Sequence, residues 1–157
     1  NPIGNSPGRS LPFHVCKKLF SLINIPNDVM FVLTGKKEDY AFNERIFKSI
    51  HCENKMNLSG KTNIDDLAAI IENSMLVITV DSGISHLASV YNKKMVILWG
   101  PGDKTIFSPI YSKSDEVYIF EGSSNCGPCQ YLCSKPLCYQ NLNFNEIAEK
   151  IQSILEN

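Results

Sequence analysis

A chain of 157 residues, 43% hydrophobic and 20% charged, is sized for one globular domain with an ordinary core. Its formal net charge of −1 excludes a general electrostatic drive toward nucleic acid or an anionic membrane. No apolar run approaches the roughly 20 residues of a membrane span, and none has the layout of a signal peptide. Basic residues are uneven, with Arg9, Lys17, Lys18, Lys36 and Lys37 set against Asp28 alone over residues 1–37. That pattern suits either an anionic ligand or a solvated helix face.

In chain order, Ser10-Leu11-Pro12 reads as a cap with proline in the first turn. Val15, Leu19, Leu22 and Ile23 then form an apolar stripe that predicts a helix to Asn24. Val29-Met30-Phe31-Val32-Leu33 predicts a buried strand ending at Gly35, Tyr40 to Ile50 a helix, and Met56 to Ser59 a short strand. Ile64, Leu67, Ala68 and Ile71 mark the apolar face of another helix. A strand over Met75 to Val80, a helix over Ile84 to Tyr91 and a strand over Met95 to Trp99 follow.

Gly100-Pro101-Gly102 breaks the chain, Glu116 to Phe120 predicts a strand, and Gly122 to Gln140 reads as an irregular loop. Asn143 to Leu155 is strongly periodic: Phe144, Ile147, Ala148, Ile151, Ile154 and Leu155 share a face, and Asn143 with Glu146 has the pattern of a capping box. Repeated β-α units predict an α/β fold, a Rossmann-like parallel sheet with right-handed crossovers and helices on both faces. No internal repeat or low-complexity segment interrupts it.

The most informative stretch is Thr79-Val80-Asp81-Ser82-Gly83-Ile84-Ser85-His86-Leu87-Ala88. It joins a β-branched apolar run, as in a strand buried on both faces, to a small-residue turn that opens a helix. In an open α/β sheet ligands bind at the carboxyl ends of the strands, where a helix start offers backbone N–H groups and partial positive charge to phosphate. His86 falls one turn inside that helix, on the side of Ser82 and Gly83. Ser82 is not a hydrolase nucleophile, because the elbow needs glycines two residues before and after, and Val80 and Ile84 stand there.

Four segments, Val32-Leu33-Thr34-Gly35, Leu58-Ser59-Gly60-Lys61-Thr62, Asp81 to Ala88 and Leu98-Trp99-Gly100-Pro101, together resemble the C-terminal domain of the heptosyltransferase-type glycosyltransferases, glycosyltransferase family 9. The resemblance runs in order over nearly the whole chain, and Asp-Ser-Gly-x-x-His-x-Ala is its most specific part. It implies the donor-binding half of a two-domain GT-B enzyme that transfers heptose from ADP-heptose to the lipopolysaccharide core with inversion. Residues 1–157 are then a single nucleotide-sugar-binding domain. Gly4-Asn5-Ser6-Pro7-Gly8-Arg9 resembles the loop that follows the family's first strand, so that strand is expected before Asn1, and the acceptor-binding domain, with the catalytic aspartate base, outside this chain.

The resemblance assigns donor binding to Asn5, Arg9, Glu38, Thr62, Asp81, Ser82, Gly83 and His86, with no catalytic residue, metal or cofactor in this chain. Arg9 suits a phosphate through its planar fork. Glu38, with Asp39 as the register alternative, suits ribose hydroxyls, and Thr62 lies near the adenine by position in the family pattern. Each has a plainer alternative: a solvated loop arginine at Arg9, first-turn acids at Glu38 and Asp39, a helix cap at Asp81, a core histidine at His86, and a turn and cap at Lys61-Thr62. Leu11 before Pro12 departs from a common aromatic, and Gly102 from a usual hydroxyl residue. The implied partners are a nucleotide-sugar donor and, through the other domain, a lipopolysaccharide-core acceptor. The implied location is cytoplasmic or peripheral to the inner membrane.

Cys126-Gly127-Pro128-Cys129, Cys133 and Cys138 form a C-x2-C-x3-C-x4-C run. Such a run can gather four thiolates around zinc, but its span is tight for a closed tetrahedral site, and unbridged thiols or local disulfides are the alternatives. Cys16 and Cys52 read as core or surface thiols. Two other functions stay open: a GT-B domain for another nucleotide sugar, and a non-catalytic nucleotide-binding or zinc-stabilised interaction module.

Overall fold

The computed structural model describes residues 1–109, 116–122, 133 and 136–156. After a 3-10 turn at Pro7–Arg9 come helix α1 (Phe13–Phe20), strand β1 (Phe31–Leu33), a 3-10 turn at Lys37–Asp39, α2 (Tyr40–Ser49) and β2 (Lys55–Asn57). Then follow α3 (Ile64–Glu72), β3 (Val77–Val80), α4 (Gly83–Val90), β4 (Met95–Trp99), α5 (Lys104–Phe107), β5 (Val117–Glu121), α6 (Leu137–Gln140) and α7 (Phe144–Leu155). Among the described residues all pairings are parallel, but they fall into two sheets, β1-β2 and β3-β4-β5.

Strand β4 shows why the sheet is buried on both sides. Its five residues are all buried, and successive side chains alternate between faces. Val96 and Leu98 join the larger core with Val15, Leu19, Ile46, Ile147 and Ile151 of α1, α2 and α7. Met95, Ile97 and Trp99 join the smaller one with Ile71 of α3 and Ala88 of α4. Each such side chain contributes about 1.5–3 kcal/mol by leaving water, and the two cores place helices on both faces.

Several local expectations change: the end of the Gly122 to Gln140 loop forms α6, and the strand expected over Met56 to Ser59 is Lys55–Asn57. Pro12 is the N-cap of α1, not a first-turn residue: its backbone is extended and its carbonyl accepts from the N–H groups of Val15 and Cys16 at 3.0 and 3.2 Å. Ser10 does not cap; its hydroxyl donates to Ser6 O and accepts from Gly4 N–H, closing the preceding loop. Since α1 stops at Phe20, Leu22 leaves the stripe and is exposed. Strand β1 is shorter than its apolar run, with only Leu33 buried. Cys16 is a core thiol, its pKa pushed up to about 12 by burial. Among the described residues, no helix is long and apolar enough to cross a membrane.

Candidate functional site

Within each sheet the parallel strands present their carboxyl ends on one rim, and the sequence-predicted residues sit on the loops that leave it. The first loop folds back on itself: Arg9 N–H donates to Ser6 O, Ser10 N–H to Pro7 O and Leu11 N–H to Pro2 O. Gly4 makes this possible, because a Cβ there would lie 2.6 Å from the Cβ of Arg9 and 2.8 Å from its carbonyl oxygen. The fold delivers Arg9 to the end of β3, where its Nε lies 3.3 Å from Asp81 Oδ2. Both side chains are largely out of water, 15% exposed for Arg9 and 3% for Asp81.

Asp81 therefore does not cap α4. Burial pushes its pKa up, against the opposing pull of the Arg9 and His86 charges. The guanidinium of Arg9 also lies over the Phe107 ring at 5.3 Å from its centroid, a cation–π contact that favours one orientation of the fork. On the other side Tyr139, fully buried, donates its hydroxyl to Arg9 O at 3.0 Å. Burial raises the Tyr139 pKa further, which keeps it a neutral donor.

The N-cap of α4 is Ser82, with extended backbone and no side-chain cap hydrogen bond. Its hydroxyl turns inward to Thr79 Oγ1 at 3.2 Å, and its carbonyl accepts from Ser85 Oγ at 2.7 Å. The Ser82 side chain thus leaves uncapped the first-turn donors, which carry the partial positive charge of the helix start. Gly83 follows, and among the described residues nothing beyond its chain neighbours and its own helix backbone lies within 4 Å of the place a Cβ would occupy. An anion can thus reach the backbone there. His86, half-buried and one turn on, is close enough for its charge to act on Asp81.

The remaining predicted residues lie on two stitched loops at the ends of β1 and β2. Gly60 N–H donates to Gly35 O at 2.9 Å, and Gly60 has φ 73°, a conformation natural to glycine. Asn43, buried on α2, braces both loops by donating to Thr34 O and Ser59 Oγ at 3.2 and 2.7 Å. Asp39 accepts from Lys36 N–H at 2.7 Å, which leaves Glu38 as the exposed carboxylate on that turn. Thr62 is half-buried and does not cap; Asn63 caps α3 in a reciprocal box with Asp66. Asn5 is exposed on the Arg9 loop.

The structure thus brings Arg9, Asp81, Ser82, Gly83 and His86 together. Among the described residues, no contact ties Glu38, Thr62 or Asn5 to the Arg9–Asp81 pair. Tyr139, Phe107 and Asn43 were absent from the sequence-based set. Only Asn43 carried a signal, as a polar residue one turn before Ile46 on the buried face of α2. Tyr139→Phe keeps the ring but deletes the bond to Arg9 O. It is expected to cost about 1 kcal/mol in chemical denaturation. Cys126 and Cys129 lie outside the described residues, and no group of three metal-ligating side chains occurs among the described ones.

The family model described as glycosyltransferase family 9 (heptosyltransferase) matches residues 17–139. Lipooligosaccharide heptosyltransferase 2 of Campylobacter jejuni is 33% identical over 138 residues, 83% of this chain and 42% of that protein. Lipooligosaccharide heptosyltransferase 2 of Haemophilus influenzae is 29% identical over 119 residues, 74% of this chain and 34% of that protein. The solved structure of Escherichia coli ADP-heptose lps heptosyltransferase II superposes with a TM-score of 0.73 at 20% identity, over 99% of this chain and 45% of the other. This likeness bears on the fold, and the chain spans less than half the length of each of these relatives. With most of its length matched by the family model, the chain belongs to glycosyltransferase family 9.

Proposed function

We propose that the chain is the donor-binding half of an inverting glycosyltransferase, that ADP-heptose is its donor, and that its acceptor is the lipopolysaccharide core, held by a further domain. The observation that carries this reading is the buried Arg9–Asp81 pair beside the open start of α4 at Gly83. Breaking the sugar–phosphate bond leaves its electron pair on the departing diphosphate. Donors already aimed at that oxygen lower the barrier without reorganising.

The α4 backbone N–H groups and the Arg9 fork are suited to this task, and neither requires a metal. Asp81 holds Arg9 in place, His86 adds polar reach on the same side, and Ser82 shapes the turn through its backbone. Glu38 takes the ribose hydroxyls and Thr62 borders the adenine, with Asn5 at the edge of the phosphate loop. The catalytic base lies in the other domain, so no residue of this chain deprotonates the acceptor. The enzyme works on the cytoplasmic side, peripheral to the inner membrane at most.

Calorimetric titration of the chain with ADP, UDP and GDP tests the reading. ADP is expected to bind at least tenfold more tightly than the other two, with no sugar transfer by residues 1–157 alone, because the positioned nucleophile is absent. Preference for UDP or GDP would keep the fold and change the donor. Binding of none would favour the interaction module, and transfer by this chain alone would overturn the division of labour.

A further inference from the structure

Asn43 is wholly buried on α2, one turn before Ile46 on the face that enters the larger core. An apolar residue would pack there with no polar atoms to satisfy. The amide nitrogen of Asn43 donates to Thr34 O at 3.2 Å and to Ser59 Oγ at 2.7 Å. Its Oδ1 is buried with no hydrogen-bond partner among the described residues, a desolvation that nothing there offsets. A half-satisfied buried amide is a poor way to stabilise a core, so its value lies in what the nitrogen joins.

It joins two loops. Thr34 follows β1 and leads into the turn that carries Glu38, while Ser59 follows β2 and leads to Thr62. Asn43 Nδ2 also stands close against Gly35, where a Cβ would lie 2.8 Å from it, and Gly60 N–H donates across to Gly35 O at 2.9 Å. Glu44, next on α2, grips the second loop again: its Oε2 accepts from Asn57 Nδ2 at 3.1 Å, and Asn57 Oδ1 accepts from Ser59 N–H at 3.1 Å. The α4 start, by contrast, follows β3 of the other sheet, with Arg9 beside it on Asp81.

We infer that Asn43 is a positioning residue for the nucleoside end of the donor, an inference that rests on the donor site proposed above. Its single amide fixes the spacing between the loop of Glu38 and the loop of Thr62. A ribose and base held between two loops bind best when that spacing is already set, because ordering the loops on binding subtracts from affinity. The diphosphate, held by Arg9 and the α4 start, does not draw on the same spacing. Asn43 thus governs recognition of the nucleoside and not of the phosphates, without touching the ligand itself.

Two measurements on residues 1–157 test this, with Asn43→Ala, Ser59→Ala and the double variant. Hydrogen exchange without ligand reads the clamp. Asn43→Ala is expected to speed exchange of the Gly60 amide at least tenfold, while the Val96 and Leu98 amides of β4 stay protected and report the fold. Calorimetry with adenosine and with inorganic pyrophosphate reads recognition: Asn43→Ala is expected to weaken adenosine at least fivefold and pyrophosphate less than twofold. Ser59→Ala, which loses one of the two bonds, should show the same selectivity to a smaller degree, and it carries the comparison alone if Asn43→Ala loses β4 protection. Added to Asn43→Ala, it should weaken adenosine less than twofold further, since both act through one bond. A purely structural amide would weaken both ligands alike or neither; either result, or unchanged Gly60 exchange, would overturn the inference. Failure of the donor reading shows differently, as an unchanged chain that binds neither adenosine nor ADP, and it would take this inference with it.

Discussion

Gly83→Val is expected to lower ADP affinity at least tenfold, about 1.4 kcal/mol, while shifting the melting temperature by only a few degrees. Among the described residues, nothing beyond its chain neighbours and its own helix backbone lies within 4 Å of the Cβ position at Gly83, so the fold has room for a side chain there. The new side chain instead stands over the first N–H groups of α4, in the space a diphosphate needs to reach them. Calorimetry with ADP and adenosine separates the effects, because only the ligand with phosphates should suffer fully. Unchanged ADP affinity in a folded Gly83→Val protein would remove the α4 start from the site. Serine replacements of Cys126 and Cys129 are the contrasting pair, expected to leave ADP binding intact.

Arg9→Ala is expected to act twice. On the proposed donor site it would remove a charge-assisted contact to phosphate, weakening ADP by about 1.5–3 kcal/mol more than adenosine. It also leaves Asp81, 3% exposed, without its cation. Breaking a buried pair from one side typically costs 3–5 kcal/mol, and the partial exposure of Arg9 reduces this to about 2–4 kcal/mol of folding stability. The sign of the pH dependence is fixed by Asp81, whose folded pKa is raised above 3.8 by burial. The folded state holds that proton longer than the unfolded chain does, so the Asp81 contribution falls as pH rises from 3.8 through the folded value. Without Arg9 that window extends upward, so the deficit of Arg9→Ala should grow as pH rises above 3.8 in urea unfolding. Adding Asp81→Asn should abolish the growth; persistence of the slope would assign it to another group.

Local signals made most of the fold legible. Strand β4 coincides with its five-residue apolar run, and α7 with its apolar face, because burial on two faces or one stripe writes a period into the sequence. The β3–turn–α4 junction was legible for the same reason: strand, small-residue turn and helix start are contiguous. Strand β3 begins at Val77, two residues inside its run, and β1 is trimmed as well. Each stands at the end of its sheet among the described residues, and hydrophobicity alone does not reveal where pairing stops.

The site was less legible where it depends on distant partners. Asp at the end of a strand before a helix looks like a cap, and only the folded loop shows it facing Arg9 while Ser82 takes the cap position. The bond from Tyr139 to Arg9 O joins residues 130 apart in sequence. It follows the cysteine segment, where periodicity carries no information. Glu38 and Asp39 could not be ranked from sequence, since both suit a first turn. The hydrogen bond from Lys36 N–H to Asp39 separates them.

The most direct test of the donor site is an amide NMR titration of residues 1–157 with ADP. The account predicts the largest shifts at Gly83 and Ile84, the first residues of α4, and at the Arg9 loop, with smaller ones at Glu38 and Thr62. Shifts confined to Val32, Ile70 and Leu76, which line an apolar cavity between β1 and β3, with α4 and the Arg9 loop unmoved, would contradict it.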